Sequence, residues 1–128
     1  MSLTVSPDLL EKAQSGPVDD ADFISCIKDS LPYAWEVVSG LVDGARTAES
    51  GFEANEVPPP GEEERGQLLR LLASDAMRGA VEKHFGLRLA FQNCHRVALF
   101  VPGAEAAYAD FTSPRSQLLN QSPELVDC

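Results

Sequence analysis

Basic residues are scarce in the first half of this chain. Residues 1–65 hold four Lys or Arg against fourteen Asp or Glu, a net of −10, whereas residues 66–128 hold six of each and sum to zero. Such a shortage argues against nucleic acid as a partner, because affinity for a phosphate backbone comes mainly from Lys and Arg displacing counterions. Anionic membrane surfaces are disfavoured for the same reason, and no basic amphipathic helix is present. No run approaches the roughly eighteen apolar residues of a membrane span, and Met1–Ser6 lacks the basic start and apolar stretch of a secretory signal. The expected compartment is the cytoplasm.

Cysteine is scarce too. Cys26, Cys94 and Cys128 are odd in number and widely spaced, with no CxxC, which excludes a local zinc knuckle and a disulfide framework. Also missing are a glycine-rich phosphate loop, GxSxG and HExxH, so an enzyme here would have to assemble its site from scattered residues. Asp19, Asp20 and Asp22 lack the central glycine and the terminal glutamate of a calcium loop. No cofactor is expected.

What is present suits one small core, since 128 residues at 44% hydrophobic content leave little room for a second. Ser6-Pro7-Asp8 has the cap, the proline and the acid of a helix start, and Gly16-Pro17 ends that helix near Gln14. Asp19 and Asp20 offer a second cap before Phe23, Ile24, Ile27 and Leu31, which share one helical face. Pro32 breaks the pattern, and a third helix is expected from Pro32 to Ala48, burying Ala34, Trp35, Val38, Leu41, Val42 and Ala45. Gly40 and Gly44 on its side would admit a close neighbour.

Residues 50–61, with three consecutive prolines, read as a linker. Glu62, Glu63 and Glu64 then fill a first helical turn, where carboxylates face the positive end of the macrodipole. Two rows, Leu68/Leu72/Ala76/Ala80 and Leu69/Ala73/Met77/Val81, predict one unbroken helix towards His84, with Ser74-Asp75 as an alternative break and Gly86 as the stop. The period then falls to two: Leu87–Gln92 and Val97–Val101 predict a hairpin turned at Gln92–His95 and anchored by Phe91, Leu99 and Val101. Ala104–Asp110 reads as a short helix, and residues 112–128 as a mobile or loosely docked tail. The expected fold is mostly helical α+β, a single domain over residues 1–111. Four or five helices surround Trp35, Leu41, Leu68, Leu72 and Phe91, with one C-terminal antiparallel hairpin against them.

Few residues suggest chemistry. Cys94-His95 joins a nucleophile to a base, and with His84 would give three metal ligands, though adjacent strand residues point apart and the spacing matches no ligand pattern. They are the weak candidates for a metal- or thiol-dependent enzyme. Asp29-Ser30-Leu31 resembles the attachment site of acyl carrier proteins, in which a serine opening a helix bears pantetheine; Pro32 and Trp35 depart from that pattern, and Ser30 reads better as a helix cap. Three helices followed by a hairpin also fit a winged-helix DNA reader with Arg70, Arg78 and Lys83 on its third helix, against which the acidic half weighs. Thr112, Ser113, Ser116 and Ser122 with Cys128 are the raw material of a thioether-bridged modified peptide behind a folded leader.

With no convergent site, the reading that remains is a small, bacterial-type cytoplasmic regulatory or accessory protein that binds a protein partner. Asp22, Asp29, Glu36, Asp43 and Glu49, on outward helix faces, are the candidate contacts for a basic partner. The hairpin edge offers a second route, association with another copy.

Overall fold

The computed structural model describes residues 3–93 and 95–121. Among them are eight short helices and one three-stranded sheet, so the mostly helical α+β class expected from the sequence is the one observed. The helices are α1 (Pro7–Ser15), α2 (Asp20–Ser30), α3 (Pro32–Gly40), α4 (Val42–Thr47), α5 (Glu62–Ala73), α6 (Asp75–Phe85), α7 (Glu105–Phe111) and α8 (Pro114–Leu119). The strands are β1 (Phe52–Ala54), β2 (Arg88–Gln92) and β3 (Arg96–Phe100).

Local signals account for several helix ends. Ser6 Oγ accepts from Leu9 N at 3.2 Å, which satisfies one of the orphan donors of α1. Gly86 takes the left-handed conformation, φ 67°, that closes α6. Two helices expected to be continuous are broken. The expected Pro32–Ala48 helix stops at Gly40 and restarts after Leu41, whose N–H turns to Val38 O at 3.1 Å. The helix expected to run through to His84 divides at Ser74, whose Oγ accepts from Met77 N at 3.2 Å; the local cap outweighs the continuous row pattern. The break changes the phase of burial. Leu71 is buried and Leu69 is exposed, the reverse of the expected rows.

Residues 50–61 are more than a linker. Phe52–Ala54 pairs antiparallel with β3, Phe52 opposite Phe100 and Ala54 opposite Ala98, giving the order β1-β3-β2. The prolines are compatible with this because β1 is an edge strand and they lie outside it. Of the two glycines expected to admit a neighbour, Gly44 does so: a Cβ there would stand 3.0 Å from Glu53 Cγ. Nothing approaches Gly40.

The sheet is covered on both faces rather than one. Ile27, Leu31, Leu68, Leu71, Val81, Val97 and Leu99 form the main core between the helices and one face. Burial of each such side chain contributes about 1.5–3 kcal/mol relative to exposure. Of the expected anchors, Leu99 is fully buried while Phe91 and Val101 are half-buried against the same cluster, as is Trp35. On the other face Ala54, Ala90, Ala98, Phe100 and Phe111 form a second cluster, with Phe52 stacked on Phe100 at 5.1 Å. Part of the expected loose tail belongs to this face. Ser113 caps α8, and the buried Gln92 binds Phe111 O, Ser116 Oγ at 2.9 Å and Asn120 Nδ2 at 3.0 Å. Ser122 and Cys128 lie outside the described residues.

Candidate partner-binding surface

The two histidines expected to carry chemistry lie on either side of β2 in the chain, with that five-residue strand between them. His84 ends α6 exposed, with its ring 5.6 Å from Trp35 and edge-on to Phe85 at 4.8 Å. His95 is buried in the hairpin turn, with Nδ1 2.6 Å from Asn93 O. A carbonyl only accepts, so that nitrogen carries the proton. Cys94 lies outside the described residues. Among the described residues no three His, Cys, Asp or Glu side chains stand close enough to hold a metal ion.

Ser30 does not cap α3 as expected; the capping position is Leu31. Its hydroxyl instead accepts from Thr4 N at 2.9 Å and donates to Thr4 O at 3.2 Å, strapping the N-terminal segment onto α2 beside the buried Cys26. The three basic residues of the winged-helix alternative are all engaged with carboxylates: Arg70 with Glu63 at 3.1 Å, Arg78 with Asp75 at 2.7 Å and Lys83 with Asp20 at 2.7 Å. The Asp20 contact holds the Lys83 ammonium above its ordinary range. Three of the precursor alternative's hydroxyls, those among the described residues, are occupied as well: Thr112 Oγ1 donates to Tyr108 O, Ser113 Oγ accepts from Ser116 N, and Ser116 Oγ accepts from Gln92.

The hairpin edge is less open than expected. β1 covers one side of β3, and on the free side of β2 the Leu89 N–H donates to Glu82 Oε2 at 2.9 Å. A side chain thus occupies a donor that another strand would need.

The acidic residues remain. Asp22 is engaged by Lys12 at 3.3 Å, whereas Asp29, Glu36, Asp43 and Glu49 are exposed and none is in an ion pair with another described residue. The fold adds a member that the sequence reading passes over. Leu31 cannot cap α3 with its side chain, and Gln67 of α5 does so instead: its Oε1 accepts from Tyr33 N at 2.8 Å and Ala34 N at 3.3 Å. This contact sets the start of α3 against the middle of α5. Tyr33 is therefore half-buried near both Glu64 and Glu36, and its phenol is raised above 10.0, first by burial, then by Glu64 and Glu36. Within the Glu62–Glu64 run, the exposed Glu63 accepts hydrogen bonds from Arg70 and Gln67, which lower its carboxyl. Glu64 lies near Tyr33, so one of the three helix-start acids joins the exposed acids Asp29, Glu36, Asp43 and Glu49.

No helix among the described residues is long and apolar enough to cross a membrane. No curated protein matches the chain, and no solved structure does. One family model matches it over residues 1–128, the family described as NucS shadow ORF; a match along the whole length makes this protein a member of the NucS shadow ORF family.

Proposed function

We propose that this protein is a non-catalytic cytoplasmic binding protein whose acidic surface recognises a basic segment of a partner protein. Tyr33, Glu36 and Glu64 form the centre of that surface, and Asp29 on α2, Asp43 on α4 and Glu49 just beyond α4 extend it. The observation that carries the reading is the set of exposed carboxylates, Asp29, Glu36, Asp43 and Glu49, that no described cation neutralises. Rim charges of this kind set the rate and specificity of encounter more than the final affinity. Tyr33 supplies what the acids lack, an aromatic face for a lysine or arginine stem and a hydroxyl beside it.

The test compares two variants of equal charge change. One removes Asp29, Glu36, Asp43 and Glu64 as amides; the other removes Asp8, Glu11, Glu105 and Asp110. Partners cross-linked to the wild-type protein in its source cells are expected to be lost from the first variant and kept by the second. Equal retention by both would overturn the assignment of this surface.

A further inference from the structure

α2 and α6 lie side by side, and their N- and C-terminal ends are tied by the 2.7 Å contact between Asp20 and Lys83. Beyond that tie a groove of about 500 Å³ opens between the two helices. Its floor is apolar, made by Ile24, Trp35 and Ala80, and Lys28 and His84 stand on its rim. The volume falls within the roughly 300–1,000 Å³ typical of small-molecule sites.

Apart from Asp20, each polar side chain lining this groove can donate a hydrogen bond. Lys28 is exposed and makes no ion pair or hydrogen bond to another described residue, and none is made by the Trp35 indole N–H or the Ser25 hydroxyl. The carboxylate in the lining, Asp20, is already neutralised by Lys83. Trp35 and His84 are mutually tilted at 54°, an aromatic wall against which a third ring can stack or lie edge-on. An ammonium eight residues along α2 from the Asp20 tie stands about 12 Å from it, leaving room for a bicyclic body between them.

We propose that this groove binds a small aromatic anion, its ring against Trp35 and His84 and its carboxylate or phosphate on Lys28. The site borders the acidic surface at Lys28-Asp29 and Trp35-Glu36 but shares no residue with it, and it does not depend on the reading given to that surface. The chain neighbours Asp29 and Glu36 splay about 100° from Lys28 and Trp35 on their helices and do not line the groove, and charges beyond about 8–10 Å are screened at physiological salt.

Trp35 is the single tryptophan, so its indole N–H resonance reports the site alone. The probe is 2-naphthoate titrated into the full chain, with neutral 2-naphthalenemethanol as the comparison. The expected result is a saturable shift of the indole resonance with a Kd of about 1 mM or tighter and weaker binding of the neutral compound. Lys28→Gln is expected to weaken naphthoate about threefold or more. Arg115→Gln, the same charge change on exposed α8, is expected to leave binding unchanged. A shift that does not saturate, equal binding of the neutral compound, or equal affinities of the two variants would each overturn the proposal.

Discussion

Gln67 Oε1 lies 2.8 Å from the backbone nitrogen of Tyr33, so the cap of α3 is supplied by α5, 34 residues away. Helix starts leave backbone N–H groups without partners, and Pro32 removes one of these by its chemistry. Gln67 satisfies the next two, Tyr33 and Ala34, while its amide donates to Glu63 at 3.4 Å. One buried side chain thereby holds together the two segments that surround Tyr33.

Gln67→Leu removes both cap bonds while keeping similar bulk. The cost expected is about 1–3 kcal/mol, the sum of a lost cap and of two backbone donors left without a partner. Thermal or urea denaturation measures it. A variant as stable as the wild type would mean that water caps α3 equally well.

The Tyr33 phenol gives a direct readout of the acidic patch. Burial, Glu64 and Glu36 all disfavour the phenolate, so its folded value lies above the unfolded one near 10. The sign follows: the folded state holds this proton more tightly than the unfolded state, so this contribution to stability is full below about pH 10 and is lost as pH rises through the folded value. In a Tyr108→Phe background, absorbance at the phenolate band should titrate Tyr33 alone. Glu36→Gln with Glu64→Gln should bring the midpoint down towards the ordinary range, and an unmoved midpoint would place those carboxylates too far away to act.

Much of the helical part is legible in short stretches of sequence, because its causes are local. Ser6-Pro7-Asp8 starts α1, Ile24, Ile27 and Leu31 share one buried face, and Gly86 ends α6 in the only kind of conformation that suits a glycine so well. Elements whose causes are distant are not legible. Phe52–Ala54 is too short to show a period and becomes a strand only because Gly51, Glu53 and Asn55 meet β3. The second face of the sheet has a sequence signal that is easy to pass over: Val97–Val101 is apolar throughout, the pattern of a strand buried on both sides. Of the surface, Asp29, Glu36 and Asp43 are visible as outward positions on helices. Tyr33 and Glu64 join them only through the Gln67 contact.

Asn55 extends the β1–β3 ladder with its side chain. Its Oδ1 accepts from Val97 N at 2.8 Å and its Nδ2 donates to His95 O at 2.8 Å, which fixes the base of the hairpin turn. Asn55→Ala leaves both backbone groups to find water, at an expected cost of about 1–3 kcal/mol. Amide hydrogen exchange should show faster exchange at Val97 before any change in α5 or α6. Uniform acceleration across the chain would mean that the hairpin does not open locally.

Gly51 combines two demands. Its φ of 76° lies in the left-handed region, and a Cβ there would stand 3.0 Å from Val101 Cγ2 and 3.1 Å from Ala104 Cβ. Alanine is therefore strained by conformation and by contact together. Gly51→Ala is expected to destabilise by at least about 1 kcal/mol, whereas Gly40→Ala, with nothing within 4 Å in mid-surface, should be neutral or stabilising. Equal effects of the two substitutions on the denaturation midpoint would refute this account of the β1 entry.

α8 presents Leu118 and Leu119 to solvent and buries none of its residues, so apolar contact does not explain its position. Polar contacts do. Gln92 reaches Phe111 O and Ser116 Oγ, accepts from Asn120 Nδ2 at 3.0 Å, and Arg96 adds a 3.1 Å bond to Asn120 Oδ1. Gln92→Leu keeps the apolar packing of β2 and removes this network, leaving the helix with the Arg96 bond and the surface contact between Gln117 and Asn93. The expected outcome is selective: faster hydrogen exchange and proteolysis within residues 113–121, with the protection of β3 and α5 retained. If α8 stays protected in that variant, its docking must come from elsewhere than the buried glutamine.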